Sequence, residues 1–464
     1  MGRVGGLGLR GGGGMGQDGN NFENNTRKQE RMFNHVQETI DRNELRASQG
    51  RNLRRLVERA WSHLAFYRQR MEEAGVRPED IRDIEDVAKL PFMVKQDFRD
   101  QYPFGMLGVD RDEIVRIHAS SGTTGKPTVV GYTRRDIETW AECVARSLGC
   151  GGATRGDTVQ VSYGYGLFTG GLGAHYGAER LGAAALPTST GGTEKQVMLM
   201  RDFGVTVLCC TPSYALQLAE VARKMGVDIR KLPLRAGHFG AEPWTEAMRT
   251  RIEEEMGIKA YDIYGMSELS GPGVASECEA QEGLHVWEDH FYPEIVDPAT
   301  GNPLSAGQKG ELVMTCLTKE GVPLIRYRTR DLTQLLDGEC PCGRTHRRIA
   351  RLMGRTDDML IIRGVNVFPS QVEDVLMRIR GVAPQYLIVV DRQGNLDTME
   401  IKVEVTSESF TDQVRGLEAL RAEIQHQVKS MLNVGAKITL VEAGSLERGL
   451  GKAVRVKDLR KLNG

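Results

Sequence analysis

Ser120-Ser121-Gly122-Thr123-Thr124-Gly125-Lys126-Pro127-Thr128 decides how this chain is read, because it packs hydroxyls, backbone donors and one cation into a loop fit to hold a polyphosphate. Glycine lets the backbone approach an anion and turn its N–H groups toward it, while the hydroxyls and Lys126 add donors to phosphate oxygens. The loop is not of the Gly-x4-Gly-Lys-Ser/Thr type. Ser120 stands in place of the first glycine, and Pro127 replaces the hydroxyl that would ligate magnesium, which disfavours a P-loop NTPase. A surface turn explains glycine and serine in general. It does not explain two Ser, three Thr and a Lys around two Gly so soon after the largely apolar Ile114-Val115-Arg116-Ile117.

Around the loop, from about Ile114 to Arg355, short β-rich runs alternate with helical stretches, as in Thr158-Val-Gln-Val-Ser162, Val205-Thr-Val-Leu-Cys209 and the helical residues 213–224. Such alternation implies parallel sheets with helices on their faces. Ligands then bind at the carboxyl ends of strands, where the loop after Ile117 is expected to fall. Upstream, residues 26–76 carry Leu53, Val57, Ala60 and Trp61 at helix-face spacing and read as a helical covering layer. Downstream, from Asp358, the chain reads as a compact α/β unit. Pro369 starts a helix whose Val372, Val375, Leu376 and Ile379 form one apolar stripe, ending at Gly381. Strands at 386–390 and Ile401-Lys-Val-Glu-Val405 follow, then a helix carrying Leu417, Leu420, Ile424, Val428 and Met431, and a last strand at 438–441.

With 464 residues the chain is too long for one compact core, and its 40% hydrophobic and 27% charged content is that of a globular protein. A formal net charge of -1 gives no general basic surface, so nucleic acid is not an expected partner. No apolar run approaches a membrane span, and no membrane partner is expected. The Gly-rich residues 1–25 read as a disordered tail rather than a signal peptide, and the place of work is expected to be the cytoplasm. Of the eight cysteines, Cys143, Cys150, Cys209, Cys210 and Cys316 lie in apolar stretches and read as small hydrophobes. Cys340-Pro-Cys342-Gly343 differs, since it can aim two thiolates at one point. Cys278 and His285, in a polar segment upstream, are the candidates to complete a structural Zn2+ shell; loop cysteines without metal are the other reading.

Five runs stand in a telling order: the phosphate loop, Tyr261-Asp-Ile-Tyr264-Gly265-Met-Ser267-Glu268, Tyr327-Arg-Thr-Arg-Asp331, Gly354-Arg355-Thr-Asp357-Asp358 and Gly449-Leu-Gly451-Lys452. In that order they resemble the adenylate-forming enzymes, the superfamily of acyl-CoA synthetases and luciferases. His118-Ala-Ser-Ser-Gly-Thr-Thr-Gly-Lys-Pro, the Gly- and Tyr-rich run from Tyr163 to Arg180, Phe239-Gly-Ala-Glu-Pro-Trp244 and Arg363-Gly-Val-Asn-Val-Phe-Pro-Ser370 are similar to the phenylacetate-CoA ligase family within it. The likeness spans residues 30–461. It implies an α/β fold with sheets covered by helices: a large ATP- and acid-binding domain over residues 26–356 and a small mobile α+β lid over 357–464. It also implies a two-step reaction in which a carboxylate attacks ATP to give an acyl-adenylate and pyrophosphate, and coenzyme A then displaces AMP. Phenylacetate activation at the head of its catabolism is the expected role. Another aryl acid of the indoleacetate or benzoate type, passed to coenzyme A or to a carrier protein, is the alternative. ATP, Mg2+ and coenzyme A are the implied cofactors, and the related ligases suggest a homodimer.

The resemblance assigns roles residue by residue. Ser120, Ser121, Gly122, Thr123, Thr124, Gly125 and Lys126 hold phosphate, and Lys452 bridges the acid carboxylate and the α-phosphate. Read alone, Lys452 would be a solvated lysine among Arg448, Arg455 and Lys457. Glu268 ligates Mg2+, Ser267 donates to phosphate, and Tyr264, beside Gly265, stacks on adenine. The plainer reading of Tyr-Gly-x-Ser-Glu is a turn opening a helix. Asp331 takes the ribose hydroxyls, its alternative being a salt bridge to Arg328 or Arg330; Arg355 is a second ribose or phosphate contact. Gly240, Ala241, Glu242 and Pro243 form the adenine wall. Tyr163, Tyr165 and Phe168, with His175, offer aromatic surface to the acid, or else are core. Asp357 is the hinge, and Gly364, Val365 and Asn366 lie toward the coenzyme A channel.

Overall fold

The computed structural model describes residues 32–120, 126–393, 396–406, 414–447 and 453–460. Its centre is a nine-stranded sheet. Five strands run parallel in the order Ala184–Leu186, Thr158–Val161, Val207–Cys210, Ala236–Gly240, Lys259–Met266. Every residue of Val207–Cys210 and Ala236–Gly240 is buried, as in a sheet covered on both faces. Alternation decides which face each side chain serves. Val207 and Cys209 pack in one cluster with Val144, Leu148 and Ala178 of helices Arg134–Cys150 and Thr169–Leu181. Leu208 and Cys210 pack in the other with Met200, Leu216 and Ile252 of helices Thr193–Asp202, Pro212–Lys224 and Glu246–Met256.

After Met266 the chain reverses, and Gly271–Glu277, Leu284–Val286, Arg348–Ile349 and Leu335–Leu336 extend the sheet antiparallel. The Tyr-Gly-x-Ser-Glu run therefore forms the turn of a hairpin and opens no helix. The strands here approach so closely that a Cβ on Gly265 would lie 1.7 Å from the Gly271 carbonyl oxygen. A second, antiparallel sheet orders Phe291–Val296, Gly310–Cys316, Leu324–Thr333 and Gly354–Arg355.

The strand before the phosphate loop, Arg116–Ala119, pairs antiparallel with Val129–Tyr132 in a separate two-stranded ribbon. The expectation that this loop would follow a strand of the parallel sheet is corrected: the strand before it belongs to this ribbon. The covering layer begins with helices His35–Glu38, Arg42–His63 and Ala65–Glu73, whose Leu53, Val57 and Ala60 are buried as their spacing requires.

The C-terminal unit orders its strands Lys437–Val441, Leu396–Val405, Val382–Gln393, Val456–Asp458. The last of these was not anticipated, because three residues carry no readable alternation. Helix Pro369–Arg378 and helix Val414–Leu432 cover this sheet; Ile424 and Val428 are fully buried, whereas Met431, expected on the same stripe, is exposed. One hydrophobic cluster joins Ile252 and Met256 of the large sheet's helices to Val375, Leu376 and Val382 of this unit. Between the two lies a hairpin, Leu360–Ile362 with Val365–Val367, turning through Arg363 and Gly364 at φ 52° and 79°. Positive φ at both central residues matches the twist of the flanking strands.

Candidate active site

The carboxyl ends of Ala236–Gly240 and Lys259–Met266 open into a cavity of about 480 Å3, the place where open α/β sheets bind ligands. It is lined by Ser120, Tyr163, Phe168, Gly240, Ala241, Glu242, Pro243, Tyr264, Gly265, Ser267, Glu268, Asp331 and Arg355, all singled out by sequence. Ala241 holds φ 70°, a conformation that a residue with a Cβ adopts at a cost and that clusters at ligand sites. Glu242 accepts from Ser213 N at 2.8 Å and from Ala453 N at 3.1 Å, which joins a helix N-terminus of the large unit to the C-terminal unit at the cavity wall. Ala453 itself lines the cavity. Its neighbour Lys452 lies outside the described residues, as do Ser121, Gly122, Thr123, Thr124 and Gly125.

One wall is a relay of buried polar groups. Tyr264 Oη donates to Asp331 Oδ2 at 2.7 Å, and Arg355 Nη1 donates to Asp331 Oδ1 at 2.9 Å. Asp331 thus pairs with Arg355, not with Arg328 or Arg330; Arg328 turns to Glu311 at 2.6 Å. Burial pushes the Asp331 carboxyl above the usual range and Arg355 only partly offsets it. Burial, and then the Asp331 charge, hold the Tyr264 phenol well above its ordinary value. Arg355 also grips Asp357 through Nε at 2.9 Å, so the residue expected as hinge is tied to the cavity wall.

The opposite wall is the turn bearing Ser267 and Glu268. Tyr132 Oη donates to Ser267 O at 3.0 Å, Thr169 Oγ1 lies 3.2 Å from Ser267 Oγ, and Lys319 Nζ donates to the carbonyls of Glu268 and Leu269 at 2.8 and 2.7 Å. Burial lowers the Lys319 pKa. With its backbone so pinned, the buried Glu268 carboxylate points its Oε1 at no hydrogen-bond donor among the described residues, of which Lys95 Nζ approaches it, at 3.4 Å. A buried carboxylate oxygen left open in this way suits a hard cation such as Mg2+.

Lys95, Asp262, Thr169 and Arg351 line the cavity and were missed by sequence reasoning. Lys95 had a weak signal: it opens helix Lys95–Asp100, where an acid is the favoured charge. Asp262 is held protonated up to about 8 by burial and the nearby Glu277. Arg351 lies over the Trp244 ring at 4.4 Å, its Nε is 3.8 Å from Asp262 Oδ2, and its Nη1 has no hydrogen-bond partner among the described residues.

Other expected residues are not brought to the cavity. Lys126 stands 5.3 Å from the Tyr102 ring centre, and Tyr165 turns its hydroxyl to His175 Nδ1 at 3.3 Å. Gly364, Val365 and Asn366, in the hairpin, are absent from the lining as well. Cys278, His285, Cys340 and Cys342 do come together, elsewhere, with ligand atoms all within 4.8 Å of one another. The five remaining cysteines are buried as expected. No described helix is long and apolar enough to cross a membrane.

Residues 52–316 match the AMP-binding enzyme family, and residues 364–460 match the AMP-binding enzyme C-terminal domain. Phenylacetate-coenzyme A ligase of Aromatoleum evansii is 52% identical over 91% of this chain and 96% of its own length. That of Escherichia coli (strain K12) is 52% identical over 92% and 98%. Among solved structures, 2-hydroxyisobutyryl-CoA ligase in the postadenylation state, in complex with R3-HIB-AMP, is 34% identical and superposes with a TM-score of 0.88 over 93% of each chain. The same ligase with 2-HIB-AMP and CoA in the thioesterification state gives 0.69 over 93% and 94%.

Proposed function

The chain belongs to the AMP-binding enzyme family, and we propose that it joins phenylacetate to coenzyme A at the expense of ATP, releasing AMP and pyrophosphate, as the first step of phenylacetate catabolism. The observation that carries this reading is one cavity in which Tyr264, Asp331, Arg355 and the open Glu268 carboxylate meet the C-terminal unit at Ala453. Adenylation brings two anions together, so positive charge and donors must face the phosphorus as charge develops on it. In the proposal the loop from Ser120 to Lys126, with Ser267, holds the phosphates and Lys452 bridges the carboxylate and the α-phosphate. Tyr264 faces adenine against Gly240, Ala241, Glu242, Pro243 and Gly265. Asp331, oriented by Tyr264 and Arg355, accepts from the ribose hydroxyls. Glu268 would hold Mg2+, which neutralises phosphate charge when bound. Tyr163 and Phe168 present a flat apolar surface to the acid, with Tyr165 behind them.

The large domain of this proposal covers residues 26–356 and the lid 357–464. Asp357 is the hinge through which the hairpin residues Gly364, Val365 and Asn366 reach the coenzyme A channel for the second half-reaction. This chain superposes better on a relative after adenylation than on the same relative during thioesterification, which supports such a rotation. Work as a homodimer in the cytoplasm belongs to the proposal too, and light scattering tests the dimer. The deciding experiment is pyrophosphate and AMP release from ATP, Mg2+ and phenylacetate, with and without coenzyme A, with a mass spectrum of the product. Phenylacetyl-CoA supports the reading. A strong preference for another acid, or pyrophosphate exchange without thioester, overturns it.

A further inference from the structure

At the antiparallel end of the nine-stranded sheet, apart from the cavity, four side chains with metal-binding atoms converge. We propose that Cys278, His285, Cys340 and Cys342 form a structural zinc site of three thiolates and one imidazole, which staples the loop between Leu335–Leu336 and Arg348–Ile349 to the sheet and so seats the N-terminal segment. The ligands come from three places that only the fold unites. Cys278 follows strand Gly271–Glu277, His285 is central in Leu284–Val286, and Cys340 and Cys342 flank the loop's turn, closed by Gly343 N donating to Cys340 O at 3.0 Å.

The distances fit one shared ion. Cys278 Sγ lies 3.5 Å from Cys340 Sγ, and Cys342 Sγ lies 3.4 Å from His285 Nε2. A disulfide would need about 2.05 Å between sulfurs, whereas ligands tetrahedrally arranged about zinc at ~2.3 Å stand about 3.7 Å apart. The imidazole is oriented for the task. His285 Nδ1, 3.1 Å from the His346 carbonyl oxygen, donates its proton there and leaves the Nε2 lone pair facing Cys342. With four protein ligands the shell is closed, which marks a structural rather than a catalytic metal.

What the staple holds is visible just after it. Arg344 Nε donates to Glu38 Oε2 at 2.6 Å, Thr345 N to Glu38 O at 3.1 Å and Thr345 Oγ1 to Ile40 O at 2.7 Å, while His346 Nε2 lies 2.8 Å from Gln37 O. This irregular loop therefore carries the grip on the first helices of the covering layer, and a metal fixes it where no ladder of hydrogen bonds can.

Elemental analysis of the full chain, purified without metal affinity steps, tests the site. About one zinc per chain is expected, falling severalfold in Cys342→Ser, with a Tm loss of several degrees when wild type is stripped by chelator. Cobalt exchange into wild type is a check that needs no variant to fold, and thiolate-to-cobalt and tetrahedral ligand-field bands are the expected signature. Wild-type protein that retains no metal after incubation with zinc chloride and gel filtration overturns the proposal, as does a Tm unmoved by removal of bound zinc.

Discussion

Glu268 and Glu288 are both removed from water, at 2% and 0% exposure, yet the fold treats their charges in opposite ways. Glu288 accepts from Arg347 N and Arg347 Nε, each at 2.6 Å, and from Arg42, and these donors overcome burial to hold its pKa below the ordinary value. Glu268 has a pinned backbone and an oxygen that, among the described residues, Lys95 alone approaches. The contrast extends to their surroundings. Around Glu288, Arg344 closes on Glu38 and Arg146 closes on Asp289 and Glu142. Around the cavity, Arg351 reaches Glu246 through Nη2 at 3.1 Å and Asp262 through Nε at 3.8 Å, yet its Nη1 has no hydrogen-bond partner among the described residues. At Glu288 the buried charge is met from within the fold, whereas Glu268 and Arg351 each keep an atom facing the cavity without a hydrogen-bond partner among the described residues.

The largest expected effect tests whether the cavity is complete without a cation from the C-terminal unit. Lys452→Ala should lower adenylation by about 10^2–10^3-fold while sparing thioester formation from supplied acyl-adenylate. Pre-steady-state assay of the two half-reactions checks this, and equal loss in both would count against the assignment. Next comes the saturated region. Glu288→Gln removes one side of a buried ion cluster and should cost about 3 kcal/mol of stability, the lower end of the range because Arg42 and Arg347 reach solvent. Denaturant unfolding reads that loss, and the kcat/KM of the remaining folded enzyme should stay near wild type. Glu268→Gln should do the reverse: kcat falls by about 10^2-fold with a raised magnesium requirement, and the unfolding midpoint holds or rises because a buried charge met only in part by Lys95 is gone.

How much of this was readable in the sequence follows the same division. The parallel core was legible, because Val207-Leu-Cys-Cys210 is apolar on both faces and can lie only between two helix layers. The Cys and His set was legible through side-chain chemistry, although those residues lie far apart in the chain. What escaped depends on partners distant in sequence and on turn geometry. Nothing local to Asp331 distinguishes Arg355 from the adjacent Arg328 and Arg330. The choice is made when strand Leu324–Thr333 pairs with Gly354–Arg355 and brings Asp331 opposite Arg355. Ser267 and Glu268 resembled a helix start because a cap and a hairpin turn draw on the same residue types. Lys95 and Arg351 lie in no motif run, Asp262 lies in one that gave it no role, and only the closed fold shows that their side chains reach one cavity.

The smallest effect sharpens the comparison through pH. Asp289, in the saturated region, is held down to about 2 because His290 and Arg146 outweigh its burial. Its folded pKa is below the unfolded one, so its contribution is present above about pH 4 and is lost as pH falls toward 2. Asp262, in the cavity, is raised to about 8 by burial and by Glu277. Here the folded state binds the extra proton, so stability declines modestly as pH rises from about 4 toward about 8. Asp262→Asn should therefore flatten the neutral limb of a Tm-against-pH profile and leave the acid limb in place. A neutral limb equally steep in the variant would show that the cavity carboxylates are compensated like those around Glu288, and the division between saturated and open charge would fail at that point.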